Sequence, residues 1–144
     1  VTTNRKLEYA SLLRSHGLKA TPQRVRILTL LADQKKPVSI TELQTKAGKG
    51  NIDTVTLYRS LEVLMKNELV RPVDLRHGHT DYEMVGKAGH HHHLVCEKCG
   101  AIEDFDWCPE DEFKKNILKK TSQFSSVTDH SLELFGICKK CAIH

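Results

Sequence analysis

Three features of the sequence predict an α+β chain. Helical periodicities with explicit start signals run through residues 5–66, two strand-like runs flank a glycine turn at 69–85, and two Cys-x-x-C pairs sit in alternating segments beyond residue 90. Helices closed by a hairpin make a winged helix-turn-helix, and the cysteine pairs make a small α/β unit held by a four-cysteine structural zinc site. The expected boundaries are 1–86 and 87–144, with a composition shift at Gly86-Lys87-Ala88-Gly89 marking a hinge.

In residues 5–16, Leu7, Ala10 and Leu13 recur at helical spacing, and Gly17 stands where a C-terminal cap ends that helix. Thr21 is placed to cap a second helix with Pro22 at its first position, and Val25, Leu28 and Leu31 line one face. The run Ser39 to Glu42 is a capping box, starting a short third helix that ends at Gly48. Asp53 can cap a fourth helix whose apolar side is Val55, Leu61, Leu64 and Met65. Its other face gathers Thr54, Thr56, Tyr58, Arg59 and Glu62, which offer the methyls, hydroxyls and guanidinium that contact thymine methyls and phosphates in a major groove. Lys19 and Arg24 are further DNA-contact candidates. The runs LVRPVDL and TDYEMV, joined at Gly78, form the hairpin.

The charge distribution fits that placement. Residues 1–88 hold 15 Lys and Arg against 9 Asp and Glu, whereas residues 89–144 hold 7 against 9, so a net +6 part precedes a net −2 part. With 144 residues, each half has a thin core and wants a staple. The apolar runs are too short to span a bilayer and no leader-like block follows a basic start, which leads to the expectation of a cytoplasmic protein with no membrane partner. Five cysteines, four of them in spaced pairs, fit metal ligation in a reducing compartment better than a disulfide framework.

Cys96, Cys99, Cys138 and Cys141 form two knuckles separated by 38 intervening residues, and four thiolates are what closed structural zinc sites use. The intervening chain must therefore fold back: residues 101–106 read as a strand, Pro109 starts a helix to about Lys120, and residues 126–138 alternate as a last strand. Cys108 has no spaced partner and reads as a small half-buried residue, an auxiliary ligand or redox role being the alternative. Ahead of the first knuckle stand four consecutive histidines. Because successive strand side chains alternate, His91 and His93 face one way and His90 and His92 the other, giving two imidazole pairs for two metal sites. Candidate partners for the first pair are His79, Glu83 and Asp104; for the second, His130 with Glu112 or Glu110. A nitrogen and oxygen set without thiolate suits reversible binding of a divalent first-row ion.

These pieces, GLKATPQRVRIL, DTVTLYRSLEVL, DYEM, HHHHLVCEKCG and SLELFGICKKC in that order, resemble the ferric uptake regulator family of metal-dependent transcriptional repressors over about residues 7–141. The resemblance implies a winged-helix DNA-binding domain, a hinge and an α/β dimerisation domain, with a homodimer binding a palindromic operator once its sensing site is filled. It implies DNA contact by Tyr58 and Arg59, structural zinc on the four paired cysteines, regulatory metal on Glu83, His91 and His93, and a further site at His90, His92 and His130. Many members carry a histidine just before the third helix; here that place reads Lys35-Lys36-Pro37, and His79 is the expected substitute. Fe(II) is the expected sensed ion, with Zn(II), Mn(II) or a peroxide-sensing role as alternatives.

Two other classes compete. A zinc enzyme would want an open metal position, and neither an HExxH helix nor the deaminase pattern is present. A structural zinc module would explain the cysteines but not the polar face around Tyr58. No small organic substrate is expected.

Overall fold

The computed structural model describes residues 2–48, 50–86 and 89–143, and the chain divides into two compact units, Val1–Lys87 and Ala88–His144. Lys87 and Ala88 of the expected hinge lie outside the described residues.

The first unit opens with helix α1, Thr2–Ser15. It ends in a Schellman motif: Gly17 takes φ +71°, its N–H reaches the Arg14 carbonyl at 2.9 Å, and the Leu18 N–H reaches that of Leu13 at 2.9 Å. Helix α2, Pro22–Ala32, carries Thr21 as N-cap, whose hydroxyl accepts from the Arg24 N–H at 3.3 Å. A two-residue strand β1, Val38–Ser39, leads into α3, Ile40–Ala47, through the capping box: Ser39 Oγ accepts from the Glu42 N–H and Glu42 Oε2 from the Ser39 N–H. Helix α4, Thr54–Lys66, is capped by Asp53. The hairpin follows as β2, Val70–Val73, and β3, Asp81–Met84, in a sheet of order β1-β3-β2. The strand β1 escaped the sequence reading because two residues are too few to show alternation.

The core of this unit joins all four helices and the hairpin; Leu13, Ile27, Leu28, Leu43, Leu57, Leu61, Leu64, Val38 and Val70 are each almost fully buried. Two apolar positions depart from expectation. Leu7 and Val55 are 65% and 57% exposed. In α1 the inward face is carried by Tyr9 and Leu13, four residues apart, and in α4 by Leu57, Leu61 and Leu64, which leaves Leu7 and Val55 on the outer sides of their helices.

The second unit is a three-stranded sheet of order β5-β4-β6, from β4, His92–Cys96, β5, Ile102–Phe105, and β6, Glu133–Gly136. β4 pairs antiparallel with β5 and parallel with β6, and the parallel pair is connected through α5, Glu110–Lys120. β6 is shorter than the alternation over 126–138 implied. Its ladder begins at His93↔Glu133, one residue after β4 starts, so among the described residues no strand pairs with the chain upstream of Glu133. A short helix α6, Lys139–Ala142, closes the unit. Among the described residues the buried apolar side chains here are only Val95 and Cys96, joined by the three imidazoles of His91, His92 and His93.

Candidate metal centres and the exposed helix face

The parallel register Cys96↔Gly136 sets both cysteine knuckles at one end of the sheet. The first knuckle leaves β4 at Cys96 and returns through Gly100, which has φ +71° and donates its N–H to the Cys96 carbonyl at 2.8 Å. The second leaves β6 and caps α6 with Cys138, whose sulfur accepts the Cys141 N–H at 3.4 Å. The four sulfurs of Cys96, Cys99, Cys138 and Cys141 all lie within 4.8 Å of one another, and Cys99 Sγ is 3.8 Å from Cys138 Sγ. A tetrahedron with Zn–S bonds of about 2.3 Å has an edge of about 3.8 Å, so the spacing is that of a four-thiolate zinc site.

The electrostatics agree. The Cys138 N–H bonds Cys96 Sγ at 3.3 Å, and this bond first, then that of Cys99, pulls the Cys96 thiol down to about 6. The Cys141 thiol is pushed up to about 12 by its bonds to the sulfurs of Cys138 and Cys99. Four negative sulfurs cannot share so small a volume without a cation, and a dication supplies it. The four-cysteine cluster thus fits structural zinc.

The histidine run splits across the two faces of its strand. His91 and His93, both buried, hold their rings 5.2 Å apart, and His93 Nε2 is 3.8 Å from Asp104 Oδ1 on β5, its partner in the register. On the other face His90 Nε2 is 3.0 Å from His92 Nε2, His130 Nε2 is 3.4 Å from His92 Nε2, and Cys108 Sγ is 3.3 Å from His130 Nε2. The converging ligand atoms here are those of His90, His92, Cys108 and His130. Glu112 is not among them. Glu110, at the start of α5, faces His130 Nδ1 at 3.8 Å, and a residue two positions further is turned by about 200° around the helix, which leaves Glu112 exposed.

In the first unit, Glu83 forms an ion pair with Arg71 across the hairpin, where the two are register partners. His79 groups with His77 and Asp81 rather than with Glu83: its Nε2 is 3.4 Å from Asp81 Oδ1, and His77 Nε2 is 2.7 Å from Asp81 Oδ2. The reason is burial. The Asp81 carboxylate is nearly inaccessible, which pushes its pKa up, and the two imidazoles partly offset that cost. Sequence reasoning passed over this cluster, although the H-x-H-x-D spacing of residues 77–81 carried the signal.

The outer face of α4 presents Thr54, Val55, Tyr58 and Arg59, with Tyr58 51% exposed. Thr56 is turned partly inward, and its hydroxyl donates to Asp53 Oδ2 at 2.6 Å, a bond that with the Thr56 N–H holds the Asp53 carboxyl below its usual range. Thr54 Oγ1 accepts from Gln44 Nε2 at 2.7 Å, fixing α3 against the start of α4. Arg24 folds back on the preceding loop and donates to the Lys19 carbonyl at 3.1 Å, while the Lys19 side chain is exposed.

The ferric uptake regulator family model matches residues 15–135. The chain belongs to the ferric uptake regulator family. It is 32% identical over 131 residues to the peroxide-responsive repressor PerR of Staphylococcus epidermidis, covering 90% of this chain and 85% of that one. Among solved structures it resembles the ferric uptake regulator Fur of Helicobacter pylori, described as having three functional metal binding sites, with TM-score 0.70, 27% identity, and 95% and 91% of the two chains covered. It also resembles the Campylobacter jejuni peroxide stress regulator, with TM-score 0.67, 32% identity, and 91% and 97% covered. Proteins of the ferric uptake regulator family are dimeric, metal-responsive transcription regulators and not enzymes, so the zinc-enzyme and structural-module alternatives fall. No described helix is long and apolar enough to cross a membrane.

Proposed function

We propose that this protein is an Fe(II)-responsive repressor of metal-homeostasis genes, binding palindromic operator DNA as a homodimer when a sensing site on Glu83, His91, His93 and Asp104 is filled. The observation that carries the reading is the buried imidazole pair of His91 and His93 with the Asp104 carboxylate 3.8 Å from His93 Nε2. Burying imidazoles beside a carboxylate, with no thiolate in the set, suits a divalent first-row ion held reversibly. Glu83 on the hairpin is the ligand that ties this pair to the DNA-binding unit. A single ion on both sides of the hinge restricts how the two DNA-binding units of a dimer are spaced, and only one spacing suits successive half-sites. Metal thereby shifts the population toward the DNA-competent arrangement.

The dimer is supported by the second unit's surface, where Trp107 and Phe124 are 71% and 68% exposed and Phe113, Ile117, Leu94 and Leu134 are also exposed. A unit with so few buried apolar side chains gains a core by pairing. The other histidine face, His90, His92 and His130, is the place for a further ion. DNA contact falls to Tyr58, Arg59 and Thr54 on α4 and to the exposed Lys19 of the same basic unit; Thr56 and Arg24 also act on the local fold through Asp53 and the Lys19 carbonyl.

A peroxide-responsive role is the second reading, favoured by the 32% identity to PerR. A gel-shift with promoter DNA, run anaerobically with and without Fe(II), tests the first, and peroxide added to the iron-loaded complex tests the second. Retardation only with metal supports the regulator; release by peroxide selects the second reading, and retention the first.

A further inference from the structure

We propose that Cys108 supplies a thiolate ligand to the ion held by His90, His92 and His130, and that this thiolate makes the site one for Zn(II) or a like borderline-soft ion rather than for Fe(II) or Mn(II). The inference rests on the reading that this histidine face holds metal, and adds to it the fourth ligand and the ion class.

The geometry is that of a closed four-ligand site. Distances between neighbouring ligand atoms run from 3.0 Å for the Nε2 atoms of His90 and His92, through 3.3 Å for Cys108 Sγ and His130 Nε2, to 3.4 Å for the Nε2 atoms of His92 and His130. A tetrahedron with Zn–N bonds of about 2.05 Å and a Zn–S bond of about 2.3 Å has edges of about 3.3 Å between nitrogens and about 3.6 Å between nitrogen and sulfur. Three of the six edges are thus close to those of a site for one such ion, and all four ligand atoms lie within 4.8 Å of one another. His92 is buried and Cys108 half-buried, so the ion would be largely withdrawn from water. Glu110 faces His130 Nδ1, the nitrogen not aimed at the ligand set, which is the place of an outer carboxylate that orients a ligating imidazole.

The ion class follows from the donors. Three imidazoles and a thiolate contain no oxygen, and thiolate selects Zn(II), and Co(II) as its probe, over the harder Mn(II), which prefers carboxylate and water. Binding releases the thiol proton, so the ion displaces one proton from Cys108 as the S–metal bond forms. The sensing set contains no thiolate, and the cysteines of the four-thiolate site are already committed. Among the described residues Cys108 is thus the one sulfur that can mark this second site spectroscopically.

The test uses the full-length protein with one zinc per chain held by the four paired cysteines, titrated anaerobically with Co(II), with zinc content checked at the end. The expected result is a near-ultraviolet sulfur-to-cobalt charge-transfer band that grows with Co(II) while the zinc stays bound. Cys108→Ser should abolish that band, keep the far-ultraviolet circular dichroism, and lower the Zn(II) affinity of the site by more than the roughly 10–100-fold that loss of an outer partner costs. His130→Ala should lose the band as well. Co(II) taken up on the histidine face without a charge-transfer band, or a band that survives Cys108→Ser, overturns the role of Cys108 while leaving the site. Failure of His90→Ala and His130→Ala to reduce the number of Co(II) ions bound removes the underlying site, and the proposal with it.

Discussion

Cys99 and Cys138 stand 39 positions apart in the chain and 3.8 Å apart at sulfur. The parallel pairing of β4 with β6 creates that proximity, since it brings the ends of two distant strands to the same edge of the sheet. The metal and the sheet therefore support each other: the ladder delivers the knuckles, and an ion on the knuckles locks the ladder. Structural zinc contributes on the order of 10 kcal/mol in small zinc domains, more than the thin core of this unit supplies. Cys96→Ser is expected to lose its zinc and to unfold or dissociate the second unit, read by metal analysis and thermal melting. A full zinc complement with an unchanged melt would contradict the assignment.

The capping box at the start of α3 gives a second expectation. Replacing Ser39 by Ala removes the acceptor for the Glu42 N–H and should cost about 1 kcal/mol, or about 4–8 °C in the melting of a unit of this size. Glu42 adds a pH dependence. The Ser39 N–H, foremost among several groups, holds its carboxyl below the ordinary range, so its stabilisation is complete above the unfolded pKa and lost as pH falls through the lowered folded value. Acid melts should therefore show a smaller loss on acidification in Glu42→Gln than in the unaltered protein, zinc release being common to both. Equal losses would show that the box carries no charge.

On α4 the two outward residues should act differently. Tyr58→Ala is expected to weaken discrimination between operator and random DNA, whereas Arg59→Ala should lower affinity for both and reduce the salt slope by about one unit. Binding isotherms at several salt concentrations read both. Small and equal effects on all DNA would mean that this helix stays out of the groove.

What the sequence disclosed follows from which signals are local. Thr21, Ser39 and Asp53 announced their helices because an N-cap is decided within four residues, and each makes its capping bond. The two faces of the histidine run were legible because strand alternation is also local. The outward turns of Leu7 and Val55 were not, since an apolar residue beside a helix stripe is assigned to core or surface by packing across the unit. Cys108 is the sharper case. Nothing in its spacing links it to His130, 22 positions away, and only the bend between β5 and α5 turns its sulfur toward the imidazoles, while the helical phase carries Glu112 away from them. The pairing of His79 with Asp81 was not legible, because Asp81 is recognisable as buried only in the fold.

The most direct test of metal-gated DNA binding is an anaerobic fluorescence-anisotropy titration of labelled operator DNA with dimeric, zinc-loaded protein, at rising Fe(II), comparing the unaltered chain with His91→Ala. The expected result is tight operator binding by the unaltered chain only when Fe(II) is present. His91→Ala should keep its structural zinc and its dimer yet show no Fe(II)-dependent gain. If His91→Ala responds to Fe(II) with unchanged affinity, or if the unaltered chain binds the operator equally with and without metal, the sensing role of the buried His91 and His93 pair is contradicted.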